Sequence, residues 1–422
     1  MRPPSRVPDE AAAREDRVEH GRALHVLHVL PNLKADAGGP SRSVPELCRA
    51  LSRRGLRVSL LTIGRDPGPP AAGAEDDPIE IVSYSPFPGS TSFPDRRFAP
   101  RVRDTLREVD VVQLNGLWNP AISLAADACR RARIPYVLSP RGMLQVTAMQ
   151  RKHSRKLAYY YLWDRRTVAG AAAIHFFNEY DSEVSKARTP LGMRTALIPN
   201  GIDDELQQKV GRGRFRARHR SLTGRKIIIS VGRVHWSKGL DVQCEAMAWL
   251  AKERDDFAWV LVGPDQGAWE ELSRSIAFHG LEDRVLWTGL LPHPQVLEAV
   301  ADANVFLLTS RHEAHSVAMN EALALGCPVV LTDTVGFDAV RRRGAGIVCQ
   351  RDAVSLAAAI GDAMWDPPRA ARMADAAIAL AREELAWSRV AEATATLYSS
   401  VRENRPRRGM TAVGGSSQRS GE

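Results

Sequence analysis

The 422-residue chain predicts an α/β protein of two domains, each a parallel sheet covered by helices on both faces. Three observations carry that prediction. Short, continuously apolar runs alternate with helical stretches, which is the pattern of strands buried on both faces. The rhythm occurs twice, with a break near residues 199–223. At roughly 100 to 200 residues per domain, the length also suffices for two cores.

Residues 1–22 are rich in Arg, Pro and acids without periodicity and read as a disordered tail, with no apolar segment of the kind a signal peptide needs. In the first domain, residues 23–205, strands are expected at Leu24–Leu30, Arg57–Thr62, Val109–Leu114 and Tyr136–Ser139. Between Pro199 and Thr223 the Asn200-Gly201 pair makes a turn, and the residues that follow are charged with few large apolar side chains. The interdomain linker is placed there. In the second domain, residues 206–386, strands are expected at Lys226–Val231, Trp259–Val262, Val285–Trp287, Val305–Thr309 and Pro328–Leu331. A last helix, near 387–402, is expected to pack back on the first domain, and 403–422 reads as a second tail. Two such sheets facing each other place a ligand in the cleft between them, beyond the carboxyl ends of the strands.

Composition narrows the class. Hydrophobic residues at 44% and charged residues at 25% exclude a fibrous or wholly disordered chain. Five scattered cysteines with no C-x-x-C pair suggest neither a disulfide framework nor a zinc site, so a cytoplasmic location is expected. No apolar run approaches the ~18 residues of a membrane span. The formal charge of +9 is concentrated in the first half: residues 1–210 carry 31 basic and 24 acidic side chains, against 27 and 25 in 211–422. Part of the excess lies in Arg141–Arg166, where seven cations face one acid, Asp164. Cations Arg151, Lys152, Arg155 and Lys156 precede Tyr159, Tyr160, Tyr161 and Trp163. That arrangement suits an anionic membrane surface, or equally a helix with core aromatics and solvated cations. No nucleic-acid module is recognisable, and nucleic acid is not expected as a partner.

Three segments carry chemistry. In the first, a strand runs into Gly38-Gly39-Pro40 and a helix, where backbone N–H groups can approach an anion; a βα connection that merely needs positive φ would look the same. Neither a G-x-G-x-x-G fingerprint nor a Walker P-loop is present, which argues against a dehydrogenase or an NTPase. In the second, Gly232-Arg233 and Lys238-Gly239 follow the strand Lys226–Val231, so that two cations can converge on a diphosphate. Two solvated cations in a surface turn would give the same spacing. In the third, Glu313 lies in the loop after a strand, Ser316 can cap the next helix, which starts at Val317, and Glu321 sits in its second turn before Gly326 and Pro328 stop it. Carboxylates accept hydrogen bonds from vicinal hydroxyls, so one can hold a sugar and the other a ribose.

With these residues the chain resembles the retaining glycosyltransferases of family 4, which have the GT-B fold of two Rossmann-like domains facing across a cleft. The resemblance rests on Gly232-Arg233 with Lys238-Gly239, on Glu313 and Glu321 in E-x7-E spacing, and on Gly326-Cys327-Pro328. It extends over Gly38-Gly39-Pro40, Asn115-Gly-Leu-Trp118, Ser139-Pro-Arg141-Gly142, Asn200-Gly201 and Thr288-Gly289. The first half is similar to bacterial members that build exopolysaccharide or lipopolysaccharide.

The resemblance implies transfer of a hexose-type sugar from a nucleoside diphosphate donor to a hydroxyl of a glycan or polyprenyl-diphosphate-linked acceptor, with retention and by front-face substitution. It implies no metal and no cofactor, and no D-x-D triplet occurs in the chain. Arg233 and Lys238 match the grip on the diphosphate, Glu313 the acid at the transferred sugar, and Glu321 the acid at the ribose. Gly38, Gly39, Gly232, Gly289, Ser316 and Val317 complete the donor set, while Arg141 and Trp118 fall on the acceptor side. A peripheral place on the inner face of the plasma membrane is consistent with this. One position departs: where the family often shows His-x-His, this chain has Gln113-Leu114-Asn115. Asn115 can hydrogen-bond a sugar but cannot carry a proton. A weakly catalytic nucleotide-sugar-binding subunit is therefore the alternative. The nearby His235, His312 and His315 read as local hydrogen-bonding residues.

Overall fold

A computed structural model describes residues 22–33, 38–63, 79–84, 98–146, 148 and 153–404. It contains two fully parallel sheets. The first has seven strands in the order β3-β2-β1-β4-β5-β6-β7: β1 His25–Val29, β2 Arg57–Ile63, β3 Glu80–Tyr84, β4 Val111–Asn115, β5 Tyr136–Ser139, β6 Ala173–Phe176 and β7 Thr195–Leu197. The second has six in the order β10-β9-β8-β11-β12-β13: β8 Lys226–Val231, β9 Phe257–Val262, β10 Val285–Trp287, β11 Val305–Leu308, β12 Val329–Thr332 and β13 Gly346–Cys349. The strands β1, β4, β5, β9, β11 and β12 are buried along their whole length, which explains why they are mainly apolar; the exceptions inside β1 and β4, His25, His28, Gln113 and Asn115, are buried polar residues with hydrogen-bond partners.

Each sheet reverses direction of growth once, between β1 and β4 in the first and between β8 and β11 in the second. Connections leave in opposite directions there, so a crevice opens beyond the strand ends. The carboxyl ends of β1, β4, β8 and β11 thus lead into the Gly38-Gly39 turn, the residues after Asn115 at the end of β4, the Gly232–Lys238 turn and the Thr309–Ser316 loop.

The architecture differs from the expectation in detail. Strands β3, β6, β7 and β13 were not anticipated. β3 and β7 are edge strands whose side chains are largely exposed, so they lack an apolar run. β6 reads Ala-Ile-His-Phe, and its apolar run is broken by His175, whose ring bonds the Ile198 carbonyl at 2.7 Å and is held neutral by burial, with a pKa near 4. The expected linker is also not bare connection: Ile202, Leu206, Phe215 and Leu222 are buried in the core of the second domain. The few apolar side chains of that stretch are the ones that matter.

The chain crosses between the sheets twice, side by side. Ile202 N–H donates to the Leu385 carbonyl at 2.8 Å, and Trp387 N–H donates to the Ile202 carbonyl at 3.1 Å. Gly201 is required at this crossing, because a Cβ there would stand 2.1 Å from the Trp387 ring. The helix Trp387–Glu403 then packs on the helix Pro40–Arg53. Residues 1–21 and 405–422, which include nearly all of both expected tails, lie outside the described residues.

Candidate active site

On the second domain, the loop after β8 is pinned to the end of β11. The Thr309 hydroxyl donates to the Lys238 and Gly239 carbonyls at 2.9 and 3.0 Å, and Gln243 bonds both that hydroxyl and Ser230. Gly239 has φ +66°, and a Cβ on it would lie 2.2 Å from the Thr309 carbonyl oxygen, so no other residue fits. The result is a fixed Lys238. Its ammonium donates to Glu313 Oε2 at 2.6 Å, and Ser310 Oγ donates to the same oxygen at 3.1 Å. Burial alone would raise the Glu313 carboxyl, but Lys238 and Ser310 together hold it below the ordinary carboxylate range. Arg233 lines one cavity with Gly232 and Lys238, while its guanidinium donates to Gln266 at 2.9 Å. Residues 75 apart in sequence are thus one ion pair, with a second cation in the same cavity.

The helix Val317–Ala324 opens beside them. Ser316 caps it by accepting the Met319 N–H at 3.3 Å. Glu321 projects from its second turn and is 1% exposed. Its Oε1 accepts from His293 Nε2 at 3.0 Å and pairs with Arg42, which arrives from the first domain; its Oε2 is buried with no partner among the described residues. Gly289, at φ +67°, has open space where a Cβ would be, and its carbonyl accepts the Gly263 N–H at 2.8 Å.

The first domain closes directly on this helix and loop. A Cβ on Gly39 would meet Val317 Cγ2 at 3.3 Å, and one on Gly142 would meet Ala314 Cβ at the same distance. Gln145 donates to the Glu313 carbonyl at 3.0 Å, Asn178 to the Ala314 carbonyl at 2.8 Å, and Asn320 in return to the Asn200 carbonyl at 2.8 Å. Gln145 also donates to Asp181 at 2.8 Å. Burial pushes the Asp181 carboxyl up to about 6, and its Oδ2 has no partner among the described residues. Gly38, at φ +96°, turns the chain into the helix Pro40–Arg53, with Ser41 Oγ bonded to its carbonyl at 2.7 Å.

Behind this loop lies a polar network. Arg141, at φ +53° in the sparsely populated left-handed region, donates from Nε and Nη2 to Asn115 Oδ1 at 3.3 and 3.0 Å and lies 5.0 Å from the Phe177 ring centroid. Burial lowers its guanidinium to about 10, still charged at neutral pH. The Asn115 amide donates to the Val29 and Gln113 carbonyls. Asn115 is therefore 3% exposed and fully engaged within the protein, not presented to a ligand; the group it orients is Arg141. Gln113 accepts from Tyr398 at 3.1 Å, and the same hydroxyl lies 3.3 Å from His28, which burial holds neutral with a pKa near 3.

Trp118, with φ +54°, is half-buried and packs against the core of the first domain. Its N–H donates to Asp164 at 2.9 Å, its Nε1 has no partner, and the Lys156 ammonium stands 4.2 Å from its ring centroid. Of the three histidines expected to serve as local hydrogen-bonding residues, His315 bonds Asn320 at 2.8 Å and His235 bonds Ser237 at 2.8 Å, whereas His312 lies tilted against Trp236 and its Nδ1 has no partner among the described residues. Among the described residues, no three His, Cys, Asp or Glu side chains are grouped to hold a metal ion.

Motif reasoning missed Arg42, His293, Gln145, Asp181 and Asn178. Arg42 carried a usable signal, a cation three residues beyond a glycine pair in a turn expected to meet anions. The amides and Asp181 carried none, because their partners lie 36 to 168 residues away.

Residues 211–379 match the family of glycosyl transferases group 1, and residues 38–201 match the glycosyl transferase 4-like domain. The chain is 26% identical over 345 residues to the GDP-mannose:cellobiosyl-diphosphopolyprenol alpha-mannosyltransferase of Xanthomonas oryzae pv. oryzae, covering 79% of this chain and 86% of that one. It is 27% identical over 380 residues to the 2-deoxystreptamine N-acetyl-D-glucosaminyltransferase of Streptomyces fradiae, covering 81% and 86%. In fold it is similar to Anabaena HepE in complex with UDP and glucose, with TM-score 0.70, 19% identity and coverage of 89% and 100%.

Proposed function

The chain is a glycosyltransferase of the GT-B fold, and from that premise we propose that it moves a hexose-type sugar from a nucleoside diphosphate donor to a hydroxyl of a glycan or lipid-linked glycan, with retention and without a metal. The observation that carries this reading is the Lys238–Glu313 pair at 2.6 Å in the crevice between β8 and β11, with Arg233 on the same cavity. A diphosphate seated there meets two fixed cations. As the anomeric bond to it breaks, negative charge grows on the departing oxygen, and preformed cations stabilise that charge without having to reorganise. Glu313, ionised at neutral pH, is the acceptor for hydroxyls of the sugar being transferred, and Glu321 for those of the ribose.

No carboxylate of the described residues is free beside Lys238 to attack the sugar. Asn115 is not a base, and His28 is buried within the network. The acceptor hydroxyl's proton is left to the diphosphate oxygen that the anomeric carbon releases, which suits attack from the face the leaving group vacates. On the acceptor side, Arg141 supplies a charged donor group and Trp118 an aromatic face. The Xanthomonas relative acts on a polyprenol-linked glycan, and an acceptor of that class suits the first domain here. Tyr161, Leu162 and Trp163 are 61%, 59% and 49% exposed, with Arg155, Arg165 and Arg166 exposed around them. That surface fits an anionic bilayer in which the acceptor is held.

The test is a thermal-shift panel of UDP- and GDP-sugars, followed by transfer assays with the donor that raises the melting temperature. One donor class is expected to stabilise the protein, and no shift with any of them defeats the proposal. Gln113 and Asn115, both committed to internal hydrogen bonds, favour a second reading, a nucleotide-sugar-binding subunit of weak activity. Binding without turnover across acceptors selects it.

A further inference from the structure

Glu321 is a buried carboxylate whose two oxygens are treated differently. Oε1 takes both Arg42 and His293, while Oε2 is buried and has no partner among the described residues. An ionised carboxylate offers about four lone-pair positions, so this one is built to accept more than it receives. Arg42 is its opposite in every respect. It belongs to the other domain, its side chain is 41% exposed, and it stands in the first turn of the helix that follows Gly38-Gly39. The same guanidinium nitrogen touches His293 as well as Glu321. An exposed arginine therefore reaches across the crevice and covers the acid on which the ribose is expected to lie.

We propose that Arg42 is an exchangeable part of the donor site, one that selects for phosphorylated nucleosides. The proposal rests on reading this cleft as the donor site. With the cleft empty, Arg42 neutralises Glu321. A ribose diol can reach the carboxylate only by displacing the guanidinium, which then needs another anion. A nucleoside diphosphate brings that anion with it, close to the glycine turn from which Arg42 springs, so one ion pair is exchanged for another. A nucleoside without phosphates offers nothing to the displaced arginine and must break the pair outright. Discrimination arises from what each ligand leaves unpaired, without any new contact to the base or the sugar.

The experiment is calorimetric titration of wild-type protein, Arg42→Ala and Arg42→Lys with uridine and UDP, and with guanosine and GDP. The wild type is expected to prefer the diphosphate strongly. In Arg42→Ala the nucleoside should bind several-fold more tightly and the diphosphate less tightly, so that the preference falls at least tenfold. Arg42→Lys, which keeps the charge, should retain most of it. A preference unchanged within twofold in Arg42→Ala, or an equal weakening of nucleoside and diphosphate, overturns the exchange and leaves Arg42 as a tie between domains. If wild-type protein binds neither diphosphate, the donor-site reading fails and the proposal with it. Circular dichroism and the melting temperature establish that the variants fold.

Discussion

The two faces of the cleft are built on different principles. The face of the second domain presents charge that is paired yet reachable: the side chains of Lys238 and Glu313 are 21% and 16% exposed, and Arg233 donates to the exposed Gln266. The face of the first domain is a buried hydrogen-bonded network in which Arg141, Asn115, Gln113, His28 and Tyr398 engage one another, although Gln113 Nε2 and His28 Nδ1 find no partner among the described residues. A site that must release a nucleoside diphosphate after every turnover needs cations whose interactions can be exchanged. A site that positions an acceptor needs a rigid support, and a buried network provides it. Substitutions on the two faces should therefore fail in different ways, one in activity and the other in stability.

The largest effect is expected at Lys238. Lys238→Ala removes a preformed cation from the leaving group, and losing one such donor costs about 2.7 to 4 kcal/mol of transition-state stabilisation, a turnover loss on the order of 10² to 10³. Ser310 still holds Glu313, but that carboxylate loses the ammonium that offsets its burial, so a moderate fall in melting temperature with folding intact is expected. Near-normal turnover in that variant, measured with the donor found by thermal shift, would remove Lys238 from the mechanism. A cooperative loss of folding would place it with the other face instead.

Titration separates the faces next. Glu313 is held below its ordinary range, so its contribution to stability is present above the unfolded pKa of 4.5 and is lost as pH falls through the folded value. Asp181, across the domain contact, runs the other way. Burial raises it from 3.8 to about 6, so folding takes up a proton between those values and stability declines as pH rises through that window. A shift of about two units corresponds to about 3 kcal/mol. Denaturant titrations from pH 4 to 7 should show Asp181→Asn with a flatter profile than wild type over pH 4 to 6. Parallel profiles would show that Asp181 ionises normally.

The outer surfaces repeat the asymmetry, since it is the first domain that bears Tyr161, Leu162 and Trp163 side by side. They stand on a π-helical turn, Tyr160–Asp164, whose additional residue per turn leaves both ends, Tyr160 and Asp164, buried and the three residues between them outward. No acid is exposed from Ser154 to Gly170, while Arg155, Arg165 and Arg166 are. Replacing Leu162 and Trp163 together by Ser should reduce co-sedimentation with vesicles containing anionic lipid about tenfold, which is ~1.4 kcal/mol. Unchanged sedimentation would assign the patch to another partner.

What the amino-acid sequence made legible divides along the same line. The central strands could be read because burial on both faces demands mainly apolar residues, and the Arg233, Lys238, Glu313 and Glu321 set because its spacing over two short loops and the helix that follows the second is characteristic. β3 and β7 could not, since edge strands need no apolar run. Nor could the network of the first domain. Arg141 meets Asn115 across 26 residues and Tyr398 meets Gln113 across 285, and neither spacing means anything until the sheet has formed. Asn115 is the instructive position. As a residue type it looked like a ligand for sugar, and only its neighbours reveal that its amide is already spent.

That position yields the smallest and most discriminating prediction. If the resembling family's histidine were what this face lacks, Asn115→His would raise turnover. The geometry argues otherwise. Asn115 Oδ1 accepts from two nitrogens of Arg141 and its Nδ2 donates to two backbone carbonyls, a division of roles that an imidazole cannot reproduce. Only one ring nitrogen could accept, and the adjacent guanidinium would oppose its protonation. Arg141 would lose an acceptor inside the protein, at a cost of about 1 kcal/mol. The expected result is a small fall in the melting temperature with turnover no higher than wild type. A tenfold gain in turnover would show that a proton carrier at this site limits the reaction, and that the closed network is not the acceptor face's working state.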